Sequence, residues 1–266
     1  MSNVFCREYS FDEVVPLEKA MDVICYPPTY AINCSARVEE LRNLGIETLI
    51  SFGKTFIGGM KVVGKGHAAV VVLAKHRDLG VVALKIRRMD SKRLSIAHEG
   101  ELLEKAHEYG VAPKVYSYTD NVIVREFVDG PILRDFMSRY VDDVERLGRV
   151  TASLIEASYA LDRAGIELEE ISIPLSQTVV PCEDPRKVVF IDFESGRKSR
   201  NPTNVTSVLG FIIGRNILGK PFRERIALTE EVVVRLRELA HRYKRVDWDE
   251  RKGIVDEMVS LILQSS

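Results

Sequence analysis

The sequence is short of cysteine, and its cysteines are spread widely along the chain. Cys6, Cys25, Cys34 and Cys182 include no close pair of the kind that binds zinc. Neither a disulfide framework nor a metal knuckle is expected, which favours a reducing compartment. The chain also lacks an apolar run long enough to span a bilayer, and its first residues lack the pattern of a signal peptide. We therefore expect a cytoplasmic protein with no membrane partner.

The net charge is close to zero, but the charges are unevenly distributed along the 266 residues. Residues 61–100 carry nine basic and three acidic side chains, and residues 197–252 carry 14 and 7. Residues 101–196 between them carry 10 basic and 19 acidic side chains. Solvated helix faces account for part of this pattern, and a polyanionic partner at the basic blocks is the alternative.

The first half of the chain predicts a small, mostly antiparallel sheet with one inserted helix. Apolar and β-branched runs alternate with turns, and "RDLG" resembles a hairpin turn between two strands. A capped amphipathic helix is expected just before this sheet. The predicted elements are a helix at 35–44, strands within 47–53, 56–66 and 68–88, a helix at 94–109, and strands at 112–118 and 121–128.

The second half predicts helices that enclose one strand pair. After "DGP" at 129–131 the pattern becomes helical, apart from the strands "QTVVPC" and "KVVFIDF". The expected fold class is therefore α+β, with a β-rich first lobe and a helical second lobe. The predicted segments are an N-terminal extension at 1–34, the first lobe at 35–129, the second lobe at 130–220 and a basic helical C-terminal extension at 221–266.

Three residues of the first lobe form a candidate nucleotide site. Gly64 and Gly66 lie between two strands, where a glycine turn can bring backbone N–H groups against phosphates, although an isolated Gly-x-Gly is more often an ordinary hairpin. Lys85 stands in the apolar strand "VVALKIRR" and shares a face with Val81 and Ala83. It is either an exposed edge residue or a charge directed into a cleft.

A carboxylate on the following helix can pair with this lysine. Glu99 occupies a stripe next to the apolar positions of that helix, so a buried Lys85–Glu99 pair is expected to hold the ammonium within reach of α- and β-phosphates. The strand "NVIVREFV" then leads out of the lobe. Its backbone at Glu126 and Val128 is predicted to hydrogen-bond an adenine edge.

In the second lobe an apolar strand runs directly into a carboxylate. Val188, Val189, Phe190 and Ile191 precede Asp192. An unpaired buried carboxylate is costly to keep ionised, so Asp192 either lies at a surface turn or faces a cation. With Lys85 and Glu99 in the same chain, a magnesium ion brought by a nucleotide is the preferred interpretation.

The order of these motifs resembles a known family. The series "GKG", "VALK", Glu99, "REFVDG" and "IDFES" is similar to the protein-kinase-like fold in a reduced archaeal form, related in style to the Rio kinases. The chain resembles most the archaeal group described as predicted serine/threonine protein kinases, which includes an RNA kinase that phosphorylates a ribose 2′-hydroxyl of tRNA. The resemblance covers roughly residues 35–216 and rests on the combination of motifs.

The resemblance implies a bilobal kinase that uses ATP and Mg²⁺. Gly64 and Gly66 would cover the phosphates, Lys85 would contact the α- and β-phosphates, and Glu99 would position Lys85. Asp192 would take the place of the metal-binding aspartate.

The resemblance also implies a base and a second metal ligand, where the sequence departs from the family pattern. Glu170 falls where the family places its aspartate base, and an exposed acidic loop containing Glu167 and Glu169 is the equal alternative. Gln177 falls where an asparagine would bind the second metal if a two-residue insertion is allowed. Without the insertion, that position is Leu175.

The acceptor of the phosphate is predicted from the basic segments. Arg197, Lys198 and Arg200 follow the predicted metal aspartate and would bind a phosphate next to a target ribose. Helical spacing puts Arg235, Arg242 and Arg245 near one face, which suits a nucleic-acid backbone. A tRNA is the expected partner, DNA is not, and no stacking platform rich in aromatic residues is visible. A serine/threonine protein acceptor and a catalytically weak nucleotide-binding module are the alternatives.

Overall fold

The computed structural model describes residues 13–30 and 34–266, and these residues divide into two compact units. One unit contains the described residues up to Glu104 together with Pro113–Phe127. The other contains Lys105–Ala112 and Val128–Ser266. The fold is mixed α+β, and all the paired strands are antiparallel. The predicted fold class is confirmed at this level.

The first unit is built on a seven-stranded antiparallel sheet. Six strands follow the spatial order β1-β2-β6-β7-β9-β8, and β5 pairs with β6. Strands β3 and β4 form a separate hairpin. The strands are β1 (Val14–Pro16), β2 (Ile46–Ile50), β3 (Thr55–Ile57), β4 (Met60–Val62), β5 (Gly64–Lys65), β6 (Ala69–His76), β7 (Gly80–Arg87), β8 (Val115–Tyr118) and β9 (Val122–Arg125).

Alternating side chains separate the two faces of this sheet. Val82, Leu84 and Ile86 of β7 face the main core, together with residues of β6 and β9. Ala83 faces the other way, into a smaller cluster. This division follows from the two-residue period of a strand, and it is the division that the sequence predicted for β7.

Helices α1 (Met21–Ile24) and α2 (Cys34–Asn43) cover the main-core face of the sheet, together with the short 3₁₀ helix Leu17–Lys19. A second 3₁₀ helix, Pro28–Tyr30, lies between them in the chain. Helix α3 (Ala97–His107) lies on the opposite face, where its Glu99 bonds to Lys85. Leu17, Val23 and Leu41 are buried in the core with the sheet. The described part of the predicted N-terminal extension is therefore integral to the first unit, and β1 is a strand of its sheet. Residues 1–12 and 31–33 lie outside the described residues.

The expectation of no disulfide is wrong. Cys25, at the end of α1, and Cys34, at the start of α2, form a disulfide, and Cys182 is also disulfide-bonded. The prediction considered only motif spacing, whereas α1 and α2 turn back on each other and bring two cysteines nine positions apart to a Cα–Cα distance of 5.8 Å. Such a separation is within the range that a disulfide spans.

The second unit is mostly helical, with short strand pairs between the helices. The 20-residue helix α5 packs against both α6 and α9. The helices are α4 (Leu133–Arg139), α5 (Val144–Arg163), α6 (Asn204–Gly214), α7 (Phe222–Arg225), α8 (Glu230–Tyr243) and α9 (Trp248–Ser265). The strands are β10 (Ile166–Leu168), β11 (Thr178–Val179), β12 (Val189–Phe190), β13 (Gly196–Lys198), β14 (Asn216–Ile217) and β15 (Lys220–Pro221).

Most long elements of this unit lie where the sequence predicted them, including the β11–β12 pair and the two C-terminal helices. The β10–β13 pair was not predicted, because each strand has only three residues and charged side chains interrupt both. The predicted C-terminal extension belongs to the second unit, where Leu236, Tyr243 and Met258 are fully buried.

Within the residues that the structure describes, no helix combines the length and the apolar character needed to cross a bilayer.

Candidate functional site

Lys85 lies in the middle of the first unit's sheet. Its strand β7 is hydrogen-bonded on both sides, and Lys85 is directly opposite Val71 of β6 and Ile123 of β9. Only 5% of the residue is exposed. A lysine is rarely this buried without a partner, because removing its charge from water is costly. The possibility that Lys85 is an exposed edge residue is therefore excluded.

The predicted partner of Lys85 is present. The Nζ of Lys85 donates to Oε1 of Glu99 at 2.7 Å, and Glu99 is also 5% exposed. Glu99 is in the first turn of α3, where the backbone of the helix is fixed by hydrogen bonds to Ile96 O. A central strand and a helix thus fix the two ends of one buried ion pair. Breaking such a pair from one side is strongly destabilising, since the other charge stays buried.

A second buried cation lies on the same face of the sheet and was missed. Arg125 of β9 is opposite Ala83 in the register, which puts it on the same face as Lys85, and it is 5% exposed. The signal was available in "VIVREFV", where a basic residue interrupts an apolar strand as Lys85 does in its own strand. The face that carries Lys85 therefore holds a second buried basic residue, which was not predicted.

The glycine turn is a tight hairpin between β5 and β6. The N–H of Gly66 donates to Ala69 O at 2.8 Å, and Gly64 is paired with Val71. A Cβ at Gly64 would meet no atom within 4 Å, and one at Gly66 would meet only Ala69 O at 3.5 Å. Neither glycine is required by a positive φ or by crowding within the chain. The backbone at this turn is therefore left open on the side where a side chain would project.

The two residues predicted to face adenine lie at the end of the first unit and the start of the second. In the first unit, the N–H of Glu126 donates to Lys114 O at 2.8 Å, and its carboxylate accepts from Lys114 N at 3.0 Å. The N–H and the carboxylate of Glu126 are therefore both bonded within the first unit. Val128 is half-buried and begins the second unit.

In the second unit, the β11–β12 hairpin sets the position of Gln177 beside Asp192. Thr178 pairs with Phe190, and the next hydrogen bond along the pair runs from Ile191 N to Gln177 O at 2.8 Å. Gln177 is therefore opposite the residue that immediately precedes Asp192. The alternative residue, Leu175, instead accepts from Arg134 N at 3.0 Å. The register favours Gln177 over Leu175 as the residue next to the aspartate.

The side chains of Glu170, Gln177 and Asp192 line one small cavity. Gln177 Nε2 donates to Glu170 Oε2 at 2.7 Å, and Asp192 Oδ1 accepts from Glu194 N at 3.2 Å. The Oε1 of Gln177 is buried and has no hydrogen-bond partner among the described residues. The cavity volume that a water-sized guest can occupy is about 10 Å³, and the walls are Leu168, Glu170, Ile171, Pro174, Gln177, Phe190, Asp192 and Ser195.

This cavity presents oxygen atoms suited to a hard cation. Carboxylate and amide oxygens are the ligands that Mg²⁺ and Ca²⁺ prefer, and a buried amide oxygen without a partner is destabilising unless a guest satisfies it. Nowhere in the described chain do three His, Cys, Asp or Glu side chains cluster in a way that could hold a metal ion. The residues present therefore fit an ion that is held only in part by the protein.

The basic residues predicted to bind the acceptor differ in their surroundings. Arg197 of β13 forms ion pairs with Glu167 Oε2 at 2.9 Å and Glu169 Oε1 at 2.7 Å. Lys198 and Arg200 are exposed. The acidic loop is thus partly neutralised by Arg197, and Glu170 is distinguished from Glu167 and Glu169 by its contact with Gln177.

The predicted basic track on α8 is less open than its spacing suggested. Arg235 is paired with Glu257 Oε1 at 2.6 Å and with Glu238 Oε2 at 3.1 Å. Arg242 and Arg245 are exposed. Two of the three arginines therefore project into solvent, and the third holds α8 to α9.

No family model matches the chain. Among curated proteins, it is similar to the uncharacterized protein MJ1211 of Methanocaldococcus jannaschii, with 26% identity over 104 residues. The alignment covers 39% of this chain and 86% of that protein. The name of this relative states no activity.

Proposed function

We propose that the chain is an ATP-dependent kinase of the protein-kinase-like bilobal type. The observation that carries the proposal is the buried Lys85–Glu99 ion pair between a central strand and a helix. A lone buried ion pair contributes little net stability, so its presence in the middle of a sheet calls for a role. Holding an ammonium against nucleotide phosphates is such a role, and phosphoryl transfer depends mainly on positioning and charge neutralisation.

Two further features of the first unit support nucleotide binding. The hairpin at Gly64 and Gly66 leaves its backbone uncovered, as a turn that lies over phosphates must. Arg125 adds a second buried positive charge on the Lys85 face. The carbonyl of Glu126 and the backbone of Val128 are proposed to bind the adenine edge.

The cavity at Asp192 supports a magnesium site in the second unit. Mg²⁺ is commonly held by one or two carboxylates together with nucleotide phosphates, and the oxygens of Asp192 and Gln177 suit that arrangement. When bound, the ion would neutralise charge on the transferred phosphoryl group. Glu170 is proposed as the base that accepts the proton of the acceptor hydroxyl, and Gln177 holds its carboxylate in place at 2.7 Å.

We propose RNA as the acceptor, with a ribose 2′-hydroxyl of tRNA as the best candidate. Residues 48–77 contain no carboxylate, and the β3–β4 hairpin within them carries Phe56, which is 66% exposed. Lys61 is opposite Phe56 in the hairpin, with its Nζ 5.9 Å from the centre of the ring. An exposed aromatic ring beside a cation is the arrangement on which bases stack while phosphates are neutralised. We therefore propose the β3–β4 hairpin as the stacking element, although its sequence does not stand out as rich in aromatic residues.

Transfer from radiolabelled ATP tests the activity and the acceptor together. The 266-residue chain is incubated with Mg²⁺ and either unfractionated tRNA or casein as a generic protein acceptor. We expect label on tRNA alone. Label on casein alone would support a serine/threonine protein kinase, and label on neither, with ATP still bound, would support a catalytically weak nucleotide-binding module.

Binding of a fluorescent single-stranded RNA tests the proposed stacking element. Phe56→Ala should weaken binding by about tenfold, since stacking contributes about 1–3 kcal/mol per base. The matched control is Val234→Ala, which removes an exposed apolar side chain from α8 in the other unit. Affinity should also fall steeply with salt. Equal affinities for the two variants would remove the hairpin from the proposal.

A further inference from the structure

A buried polar network joins three helices of the second unit. Asp162, in the last turn of α5, is completely buried and is surrounded by donors. Its Oδ1 accepts from the backbone N of Asn204 at 2.8 Å and from Asn204 Nδ2 at 2.7 Å. Its Oδ2 accepts from Val205 N at 3.4 Å and from the hydroxyl of Tyr243 at 2.7 Å. One carboxylate thus binds the start of α6 and the end of α8.

The side chain of Asn204 connects Asp162 to the strand β10 by hydrogen bonds. Its Oδ1 accepts from Leu168 N at 3.0 Å, and its Nδ2 donates to Ile166 O at 2.6 Å. A carboxamide carries the same donor and acceptor as a peptide group, so the Asn204 side chain pairs with β10 as a neighbouring strand would. On its other edge β10 pairs with β13. The strand that leads to Glu170 is therefore held along both edges.

The C-terminal helices α8 and α9 contribute the remaining contacts of the network. Tyr243 is the last residue of α8 and is fully buried. The guanidinium of Arg251, in α9, lies 4.7 Å from the centre of the Tyr243 ring and 4.3 Å from that of Trp248. Arg251 also donates to Pro202 O at 3.5 Å and to Asn201 Oδ1, just before α6. Helices α8 and α9 therefore hold both the carboxylate and the segment that delivers Asn204.

Burying the carboxylate of Asp162 costs free energy, so stability alone does not account for this network. Burial raises the pKa of Asp162 to about 6, and the hydrogen bonds from Tyr243, Asn204 and Val205 oppose that rise. A buried carboxylate with several donors fixes geometry tightly, because each donor loses its partner if the carboxylate moves. The network holds strand β10, which ends at Leu168, two residues before Glu170.

We propose that Asp162, Asn204 and Tyr243 are positioning residues that hold β10 and thereby orient Glu170 toward Gln177. The inference rests on the proposed function, since it assigns a purpose to the place of Glu170. It also gives the C-terminal helices a role in catalysis, although they contribute no side chain to the cavity at Asp192. Tyr243 acts through Asp162 and Asn204, without touching any reacting group.

Tyr243→Phe is the first test, because it removes the hydroxyl and keeps the ring packed under Arg251. The matched control is Tyr140→Phe, since Tyr140 has its ring against Phe136 and Arg146 in the same unit, outside the network. Hydrogen–deuterium exchange of the peptide spanning residues 165–171 reports on β10 without requiring activity. We expect exchange at the Leu168 amide to become about tenfold faster in Tyr243→Phe and to stay unchanged in the control.

Kinetics then separate positioning from a general loss of structure. Tyr243→Phe should lower kcat for transfer from ATP to unfractionated tRNA by about tenfold or more, because a small displacement of a catalytic group is costly. The KM for ATP should stay within about twofold of the wild-type value, since the nucleotide is bound mainly by other groups. Asn204→Ala, which removes both contacts to β10, should show larger effects of the same kind. If Asn204→Ala does not fold, the kinetics and the exchange of Tyr243→Phe are sufficient to test the proposal.

Unchanged exchange at residues 165–171 in Tyr243→Phe would overturn the proposal, whatever the activity. Faster exchange with an unaltered kcat would also overturn it, since β10 would then be free to move without consequence for Glu170. A wild-type chain that transfers phosphate to no acceptor would instead contradict the proposed function, and this inference would fail with it. An active wild type with normal kinetics in Tyr243→Phe contradicts this inference alone.

Discussion

Lys85 of the first unit and Gln177 of the second are both polar side chains in or beside a strand, but their hydrogen-bonding groups are satisfied differently. Lys85 is in the middle of a seven-stranded sheet, and its charge is neutralised by Glu99 at 2.7 Å. Gln177 stands at the end of a two-residue strand pair, and its Oε1 is buried without a partner among the described residues. We call the Lys85–Glu99 pair the complete site, because each charge has a partner within the chain, and the cavity at Asp192 the incomplete site, because the Oε1 of Gln177 has no partner among the described residues.

This difference indicates how each unit would contribute to binding a charged ligand. A central strand cannot shift without breaking hydrogen bonds on both sides, so the ammonium of Lys85 is fixed before any ligand arrives. The two-residue β11–β12 pair at Asp192 has few backbone bonds to lose, and Gln177 beside it is held by a side-chain hydrogen bond to Glu170. A cation that binds Asp192 and Gln177 would therefore order its own site as it binds.

Asp192→Asn should give the largest effect, because it removes a charge from the incomplete site. We expect transfer to tRNA to fall by at least about 10³-fold, since the amide cannot neutralise a divalent cation as a carboxylate does. ATP binding, measured by fluorescent nucleotide displacement, should survive in part. Asp184→Asn is the control, because Asp184 is on the same β11–β12 connection but bonds to exposed Arg186. Comparable losses in both variants would show that Asp192 has no special role.

Lys85→Met tests the complete site and should have the next largest effect. The variant leaves Glu99 buried and unpaired, so we expect a loss of about 3–5 kcal/mol in the free energy of unfolding and a large drop in ATP affinity. The double variant Lys85→Met with Glu99→Leu should recover most of that stability but not the affinity for ATP. Chemical denaturation and nucleotide binding measure the two quantities. Lys75→Met, at an exposed position near the end of β6, is the control.

Recovery of ATP binding in the double variant would mean that the pair is structural, and the assignment of Lys85 to the phosphates would be wrong. Recovery of stability without binding would separate the two roles. A loss of stability that the double variant does not restore would indicate that the site cannot be repacked. In that case ATP binding of the folded fraction decides the assignment.

The pH dependence of stability gives the third effect, from Asp162. Burial raises its pKa from 3.8 to about 6 in the folded chain, so between these values the folded state binds a proton that the unfolded state has lost. The free energy of unfolding contributed by Asp162 therefore falls as pH rises through this window, by about 3 kcal/mol in total. Below pH 3.8 both states are protonated, and above pH 6 the loss is complete.

Denaturation of wild type and Asp162→Asn from pH 3.5 to 7 measures this contribution as a difference. The stability advantage of the wild type should shrink with rising pH. Asp184 is a useful contrast, because its hydrogen bond from Arg186 lowers the pKa of its carboxyl. Its contribution therefore has the opposite sign and grows as pH rises. A pH-independent difference for Asp162→Asn would show that its carboxyl is not shifted in the folded state.

The sequence predicted the complete site better than the incomplete one, for a physical reason. A lysine in a strand with a two-residue period can lie on only one face, so the place of Lys85 followed from local pattern. Whether Gln177 or Leu175 lies beside Asp192 depended on the register of a hairpin, which an insertion of two residues leaves undecided. The contact of Tyr243 with Asp162 joins residues 81 positions apart, and no local pattern indicates it.

Gln177→Ala should give the smallest of the four effects, because it changes one neutral side chain at the incomplete site. Gln177→Ala removes the amide oxygen that lacks a partner, and with it one ligand of the proposed cation. We expect binding of Mn²⁺ in the presence of ATP, followed by electron paramagnetic resonance, to weaken by about tenfold, since one neutral oxygen ligand is lost while Asp192 remains. Gln264→Ala, on the surface of α9, is the control. Because Gln177 also holds Glu170, kcat should fall together with metal affinity. If metal affinity is unchanged while kcat falls, Gln177 positions the glutamate and the ion binds without it.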